Sequence, residues 1–160
     1  MKKKLLALAL LLAGVLAAPP AWADKTIVLE PSAAHTANGN SATDYDSTGF
    51  TTAQVFVNVT AGSGTVNPFK VFLAGTQDLG TTYYAIPCTL VAKDVAGPGG
   101  TVTITAAPGH TLIVNETAVV SSATQYAATC PVTAPRVRAQ WVIAGTTPSE
   151  TFSVTVNLKP

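Results

Sequence analysis

Arg136-Val137-Arg138-Ala139-Gln140-Trp141-Val142-Ile143 is followed, after Ala144-Gly145-Thr146-Thr147-Pro148-Ser149, by Thr151-Phe152-Ser153-Val154-Thr155-Val156-Asn157-Leu158. In the first run Val137, Ala139, Trp141 and Ile143 alternate with Arg136, Arg138, Gln140 and Val142. In the second, Phe152, Val154, Val156 and Leu158 alternate with Ser153, Thr155 and Asn157. A period of two belongs to a strand with one face buried, so the stretch reads as two strands joined by a tight connection. A one-residue slip would turn Trp141 and Phe152 out to water. The register is therefore well specified, and the other strands must pack against this apolar face.

The remaining sequence supplies those strands. Short alternating runs at Thr26 to Leu29, Ala53 to Thr60, Phe69 to Ala74, Thr82 to Ile86, Thr89 to Lys93, Thr101 to Ala106 and Thr111 to Val114 are each bounded by Gly, Pro, Asn or Asp, with a further candidate at Ala118 to Val120. No window shows sustained helical spacing. The expectation is an all-β, antiparallel β-sandwich, jelly-roll or immunoglobulin-like, of about eight to ten short strands. Pro31 to Gly49 has no apolar period and carries turn chemistry at Asn38-Gly39 and Ser47-Thr48-Gly49, so it reads as a long loop. Ala96 to Gly100 and Ala107-Pro108-Gly109 read as turns.

Met1 to Ala23 has three lysines at its front, an apolar run from Leu5 to Ala18 and an Ala21-Trp22-Ala23 end, the pattern of a secretory signal peptide. The apolar run is shorter than the roughly 20 residues of a spanning helix, and no second run of that length follows. No membrane span is expected, and no Cys lies near the cleavage point to carry a lipid. The 137 residues from Asp24 to Pro160 then form a single β domain, enough for one core. Removing the signal leaves six basic residues, Lys25, Lys70, Lys93, Arg136, Arg138 and Lys159, against eight acidic ones, a charge of −2. With no basic cluster the chain has little to offer a phosphate backbone, which excludes nucleic acid as a partner.

Cys88 and Cys130 are the two cysteines. In an exported chain an even count implies a disulfide, worth about 4 kcal/mol for a loop of this length. Pro87 before Cys88 and Pro131 after Cys130 place both at strand ends.

No catalytic signature is present: no G-x-S-x-G elbow, no H-E-x-x-H, no phosphate loop and no dinucleotide fingerprint. His35 and His110 fall in a loop and a turn and read as surface residues. No enzyme and no cofactor are expected. Asn38 to Asp46 concentrates oxygen donors, but without the spacing or terminal Glu of an EF-hand loop, and Asx-turns account for it better than calcium does. Tyr45, Tyr83, Tyr84 and Tyr126 with Trp141 would make a platform for a surface glycan. Against this, Trp141 and one of Tyr83 and Tyr84 belong in the core by alternation. Asn58-Val59-Thr60 and Asn115-Glu116-Thr117 match the N-glycosylation acceptor pattern.

Apolar residues on the outward side carry more information. Burying Val55, Val57 and Val59 turns Phe56 outward; burying Phe69, Val71 and Leu73 does the same to Phe72, and burying Trp141 does it to Val142. Phe56, Phe72 and Val142 on one surface would form a patch of the kind that marks interfaces. Thr26-Ile27-Val28-Leu29 is a second assembly element: short, uncharged and β-prone, it either closes its own sheet as an edge strand or completes the sheet of a neighbour.

Phe50-Thr51-Thr52-Ala53, Val57-Asn58-Val59-Thr60-Ala61, Thr81-Thr82-Tyr83-Tyr84 and above all the run from Arg138 to Val156 resemble small β-rich structural proteins of tailed phages and prophages. The resemblance covers rather more than half of the chain after the signal; the signal itself and Pro87 to Pro135, with its cysteines, lie outside it. It implies no catalytic residue and an assembling, structural role. The expected function is a secreted structural subunit of an extracellular filament or surface layer, a homo-oligomer or polymer, for which donated N-terminal strands offer one means of joining. The alternative is an extracellular carbohydrate- or surface-binding module.

Overall fold

The computed structural model describes residues 23–78, 80–95, 101–102, 112–121 and 123–160. Residues 1–22 of the expected signal segment, the turns expected at 96–100 and 107–109, most of the strand expected at 101–106, and His110 lie outside these residues. Ten strands run through the described chain: β1 (Lys25–His35), β2 (Gly39–Asn40), β3 (Tyr45–Asp46), β4 (Thr52–Thr76), β5 (Tyr84–Ala85), β6 (Thr89–Val95), β7 (Thr101–Val102), β8 (Val114–Glu116), β9 (Thr124–Pro131) and β10 (Arg136–Lys159). Among the described residues there is no helix. The strands make one antiparallel sheet in the order β1-β10-β4-β9-β6-β7, with β2 and β3 on β10 and β5 and β8 on β4. The all-β antiparallel class expected from alternation is the observed one.

Two strands differ from expectation in length. Residues 144–149 do not separate two strands; β10 continues through them, paired with β4 from Arg136↔Thr76 to Lys159↔Thr52. The runs at 53–60 and 69–74 are likewise two halves of β4. The reason is that the irregular segments of the two strands lie opposite each other, Gly145 against Val66, Thr146 against Thr65 and Ser149 against Ser63, so each meets the other's backbone hydrogen-bonding needs.

Both strands also bend there. Trp141 and Phe152 are eleven residues apart on β10, about 36 Å along an extended strand, yet their ring centroids are 5.4 Å apart. Phe69 of β4 meets Phe152 at the same 5.4 Å. The sheet is therefore folded over on itself. One layer holds β1, the C-terminal half of β10, the N-terminal half of β4, β9 and β6; the other holds the remaining halves of β4 and β10 with β2, β3, β5 and β8. Glycine makes the bend possible. A Cβ on Gly145 (φ 141°) would sit 1.8 Å from the Thr65 carbonyl oxygen, and one on Gly64 (φ 77°) 2.1 Å from that of Thr147.

The core lies between the layers. Val137, Ala139, Trp141, Ile143, Phe152 and Val154 are all buried, as their alternation predicts, and β4 contributes Val55, Val57, Val59, Phe69, Val71 and Leu73. Cys88 and Cys130 are joined, S–S 2.04 Å and Cα–Cα 4.2 Å, at the end of the β6–β9 ladder.

The segment 31–49 is not a free loop. Residues 31–35 extend β1, and β2 and β3 pair with β10. Its attachments are polar and therefore carry no apolar period: the Ile143 N–H donates to Asn38 Oδ1 at 2.8 Å, the Ala139 N–H to Ser41 Oγ at 3.2 Å, and Trp141 Nε1–H to the Ala37 carbonyl at 3.1 Å. Gly39 lets the chain lie against Trp141, because a Cβ there would fall 2.7 Å from the indole.

Candidate assembly surface

Thr26, Ile27, Val28 and Leu29 lie in β1, paired with the C-terminal half of β10: Thr26↔Asn157, Ile27↔Val156, Val28↔Thr155. Ile27 and Leu29 enter the core while Val28 points out, 51% exposed. In this chain the segment thus closes its own sheet. The strand order places β1 at the edge, and its outer side pairs with no strand among the described residues. The ladder slips between Val28 and Glu30 and again between Glu30 and Ala33, so only the first part of β1 pairs regularly.

Phe56, Phe72 and Val142 do not form the single patch expected. The fold-over separates them: Phe56 faces out from one layer, Phe72 and Val142 from the other. Phe56 is 36% exposed, whereas Phe72 and Val142 are half-buried beside Gln140 and Lys70. Phe56 has different neighbours. A cross-strand row runs Val28, Thr155, Phe56, Ala127 over β1, β10, β4 and β9, and beside Ala127 lies Val91 of β6, 51% exposed. Gln54, Phe56, Val91, Ala127 and Thr129 line a shallow groove. Val91 escaped the sequence reading because it sits at a bulge between Leu90 and Ala92, where alternation breaks.

The glycan platform is not assembled. Trp141 and Tyr126 are buried. Neither Tyr83 nor Tyr84 is in the core, contrary to the alternation argument, since β5 spans two residues and no period runs through it. The Arg138 guanidinium lies over the Tyr83 ring, 3.2 Å from its centroid, and the Tyr83 hydroxyl bonds to Asp44. The oxygens of 38–46 are not brought together either: Asn38 accepts from Ile143, Asp44 from Tyr83, and Asp46 from the Thr48 N–H at 2.9 Å. Asn58 and Asn115 are both exposed.

Three buried polar groups were not legible from sequence. His35 is not a free surface residue; its ring lies 4.4 Å from that of Trp141 and 4.6 Å from that of Phe152, with Glu30 at 3.5 Å. Burial lowers the His35 pKa and raises that of Glu30. Glu150 is fully buried; its carboxyl is pushed up, first by burial. The Tyr126 hydroxyl donates to Glu116 at 2.9 Å, and Lys93 reaches the same carboxylate at 2.5 Å. Burial and that bond raise the Tyr126 pKa far above its ordinary value. Lys93, Glu116 and Tyr126 line an open pocket with Val119, Val120 and Thr124, and Glu150 lies behind Val120, whereas His35 packs against Trp141 and Phe152.

No protein-family model matches the chain, and no curated protein matches it. Among solved structures it is similar to the SPBc2 prophage-derived protein YomS, at 8% identity and a TM-score of 0.41, over 86% of this chain and 94% of that one. A likeness this distant carries no argument about function.

Proposed function

We propose that the chain is an exported, non-enzymatic structural subunit that assembles with copies of itself into a filament or surface layer. The observation that supports this reading most directly is β1: an apolar N-terminal strand at the edge of the sheet, its outer side unpaired among the described residues, with Val28 exposed. An edge of this kind is a template for another chain's backbone, and native proteins commonly blunt it with charge, Pro or a covering element. Thr26 to Leu29 itself has no charge and no Pro, although Lys25, Glu30 and Pro31 flank it within β1. Because Ile27 and Leu29 fill core positions, the same four residues would fill those of a neighbour if the strand were donated. Export rests on the pattern of residues 1–23 and agrees with the Cys88–Cys130 disulfide.

The test is negative-stain microscopy and sedimentation of the chain from Asp24 onward, alongside a variant lacking residues 24–30. The full chain is expected to form polymers and the deletion variant to be exported but unable to polymerise. A full chain that remains a monomer at every concentration overturns the reading. Normal filaments from the deletion variant overturn the role of β1.

A further inference from the structure

We infer that the open pocket between β6, β8 and β9 binds a single neutral sugar ring, held through its hydroxyls by Lys93 and Glu116. The site shares no residue with the β1 edge and does not depend on self-assembly.

The pocket is built where the two layers meet. Lys93 of β6 and Tyr126 of β9 are cross-strand partners, so their side chains leave the sheet on the same side, the side on which Tyr126 is buried. Glu116 comes from β8 in the other layer, where it is paired with Phe69 of β4. Lys93 Nζ lies 2.5 Å from Glu116 Oε1, and the Tyr126 hydroxyl donates to the same oxygen at 2.9 Å. The Lys93 stem runs beside the Tyr126 ring, with Nζ 5.3 Å from its centroid. Ala118, Val119 and Val120 supply an apolar wall. That wall is held from behind, because the Val120 N–H donates to the buried Glu150 carboxyl at 3.0 Å. The polar atoms are thus positioned before anything binds, which lowers the cost of ordering them around a ligand.

Unused hydrogen-bonding capacity gives the class of ligand. An ammonium can donate several hydrogen bonds and a carboxylate can accept several. Here both bonds to Glu116 fall on Oε1, and Lys93 donates to that oxygen alone among the described residues. The two side chains are 24% and 26% exposed, so neither ion is sealed off. A matching ligand must accept from Lys93 and donate to Glu116 side by side. Adjacent hydroxyls on one ring do both, while the C–H face of the ring lies on Val119 and Val120. Charge excludes the other classes. The lining carries one charge of each sign, so Glu116 repels an anion and Lys93 repels a cation. An apolar ligand would strip water from both ions and return no hydrogen bond. Size sets the number of rings. The pocket holds about 190 Å³, below the roughly 300–1,000 Å³ of pockets that enclose drug-sized molecules.

The test is saturation-transfer NMR of the chain from Asp24 onward with the methyl glycosides of glucose, galactose, mannose and N-acetylglucosamine, and with glucuronate and glucosamine as charged counterparts. The method reads the ligand, so it serves for a monomer and an assembly alike. Wild type is expected to bind at least one neutral glycoside, and to bind both charged sugars at least about 10-fold more weakly. Glu116→Gln leaves Lys93 unpaired; it is expected to weaken the neutral ligand about 10-fold and to make glucuronate the preferred probe. Lys93→Met is expected to favour glucosamine instead. Loss of a merely structural ion pair would not exchange the charge preference in this way. Ser121→Trp, at the exposed rim, blocks the mouth without altering the pair and serves as a second variant should the charge variants fail to fold. A tetrasaccharide of the bound sugar is expected to bind no more tightly than its methyl glycoside; tighter binding overturns the single ring in favour of a polysaccharide chain. No saturation transfer from any neutral glycoside, or binding unchanged in folded Glu116→Gln and Ser121→Trp, overturns the site and leaves the assembly reading as it stands.

Discussion

Glu150 Oε1 accepts a hydrogen bond from the Val120 N–H at 3.0 Å, inside a side chain with no exposed surface. Its other oxygen, Oε2, is buried with no partner among the described residues. Gly62, directly across the ladder, makes room for this arrangement: a Cβ there would lie 2.6 Å from both Glu150 Oε2 and the Val120 carbonyl. The carboxylate therefore ties the segment before β9 to the bend in β10, and burial holds its pKa above the ordinary 4.5.

The sign follows from linkage. A carboxyl whose folded pKa is raised binds more protons in the folded state, so its contribution is most favourable below 4.5 and is lost as pH rises through the folded value. Glu150→Gln keeps an oxygen for the Val120 N–H and removes the charge. It is expected to raise the melting temperature at pH 7, with the difference shrinking below pH 4.5. Glu150→Ala orphans the Val120 N–H instead and is expected to cost about 1–3 kcal/mol. A Gln variant no more stable than wild type at pH 7 would show that the buried carboxylate is fully compensated.

The bend yields a pair of opposite predictions. Gly145→Ala places a methyl group 1.8 Å from the Thr65 carbonyl oxygen, at a φ of 141°. It is expected to destabilise the chain by more than about 1 kcal/mol. Thr147, two residues on, holds φ 48°, a conformation unfavourable for a β-branched side chain and tolerated by Asn. Thr147→Asn is expected to stabilise by up to about 1 kcal/mol. Chemical denaturation of the two variants should move the midpoints in opposite directions. Movement the same way would mean that the bend is not what limits this part of the sheet.

Where burial repeats every second residue, the sequence is read correctly. Val137 to Ile143 and Phe152 to Leu158 point as their alternation says, and Phe56 is indeed outward. In sequence the bend reads as a break because Gly145 and Pro148 carry the chemistry of a hairpin turn. Which segment lies opposite is set by pairing with β4, and no local pattern contains that. The same limit explains residues 31–49, held by backbone and amide contacts, and Val91, displaced by a bulge. It also explains why Phe56 and Phe72 looked like one patch. Each faces away from the core, but knowing that the two directions are opposite requires knowing that the sheet folds over. Glu150 and His35 carry no signal in sequence, since a single polar residue between Ser149 and Thr151, or before Thr36, reads as part of a turn or loop.

His35 closes the end of β1 against Trp141 and Phe152 and supplies the last prediction. Its pKa lies below the ordinary 6.5 because burial disfavours the imidazolium. The unfolded chain then takes up a proton at a pH where the folded one does not. The stabilisation is fully present above pH 6.5 and is lost as pH falls toward the folded value. Glu30, 3.5 Å away, works the other way: its raised pKa makes the fold gain as pH falls toward 4.5, and a charged Glu30 partly offsets a proton on His35. The opening of β1 should therefore grow as pH falls from 6.5 toward the folded His35 value, with Glu30 working against it. Amide exchange at Ala33 and Ala34 is expected to accelerate across that window beyond the intrinsic pH effect, while exchange in the centre of β4 is unaffected. His35→Phe, which keeps the ring and removes the proton site, is expected to abolish the acceleration. Equal pH dependence in wild type and His35→Phe would assign the effect to another group.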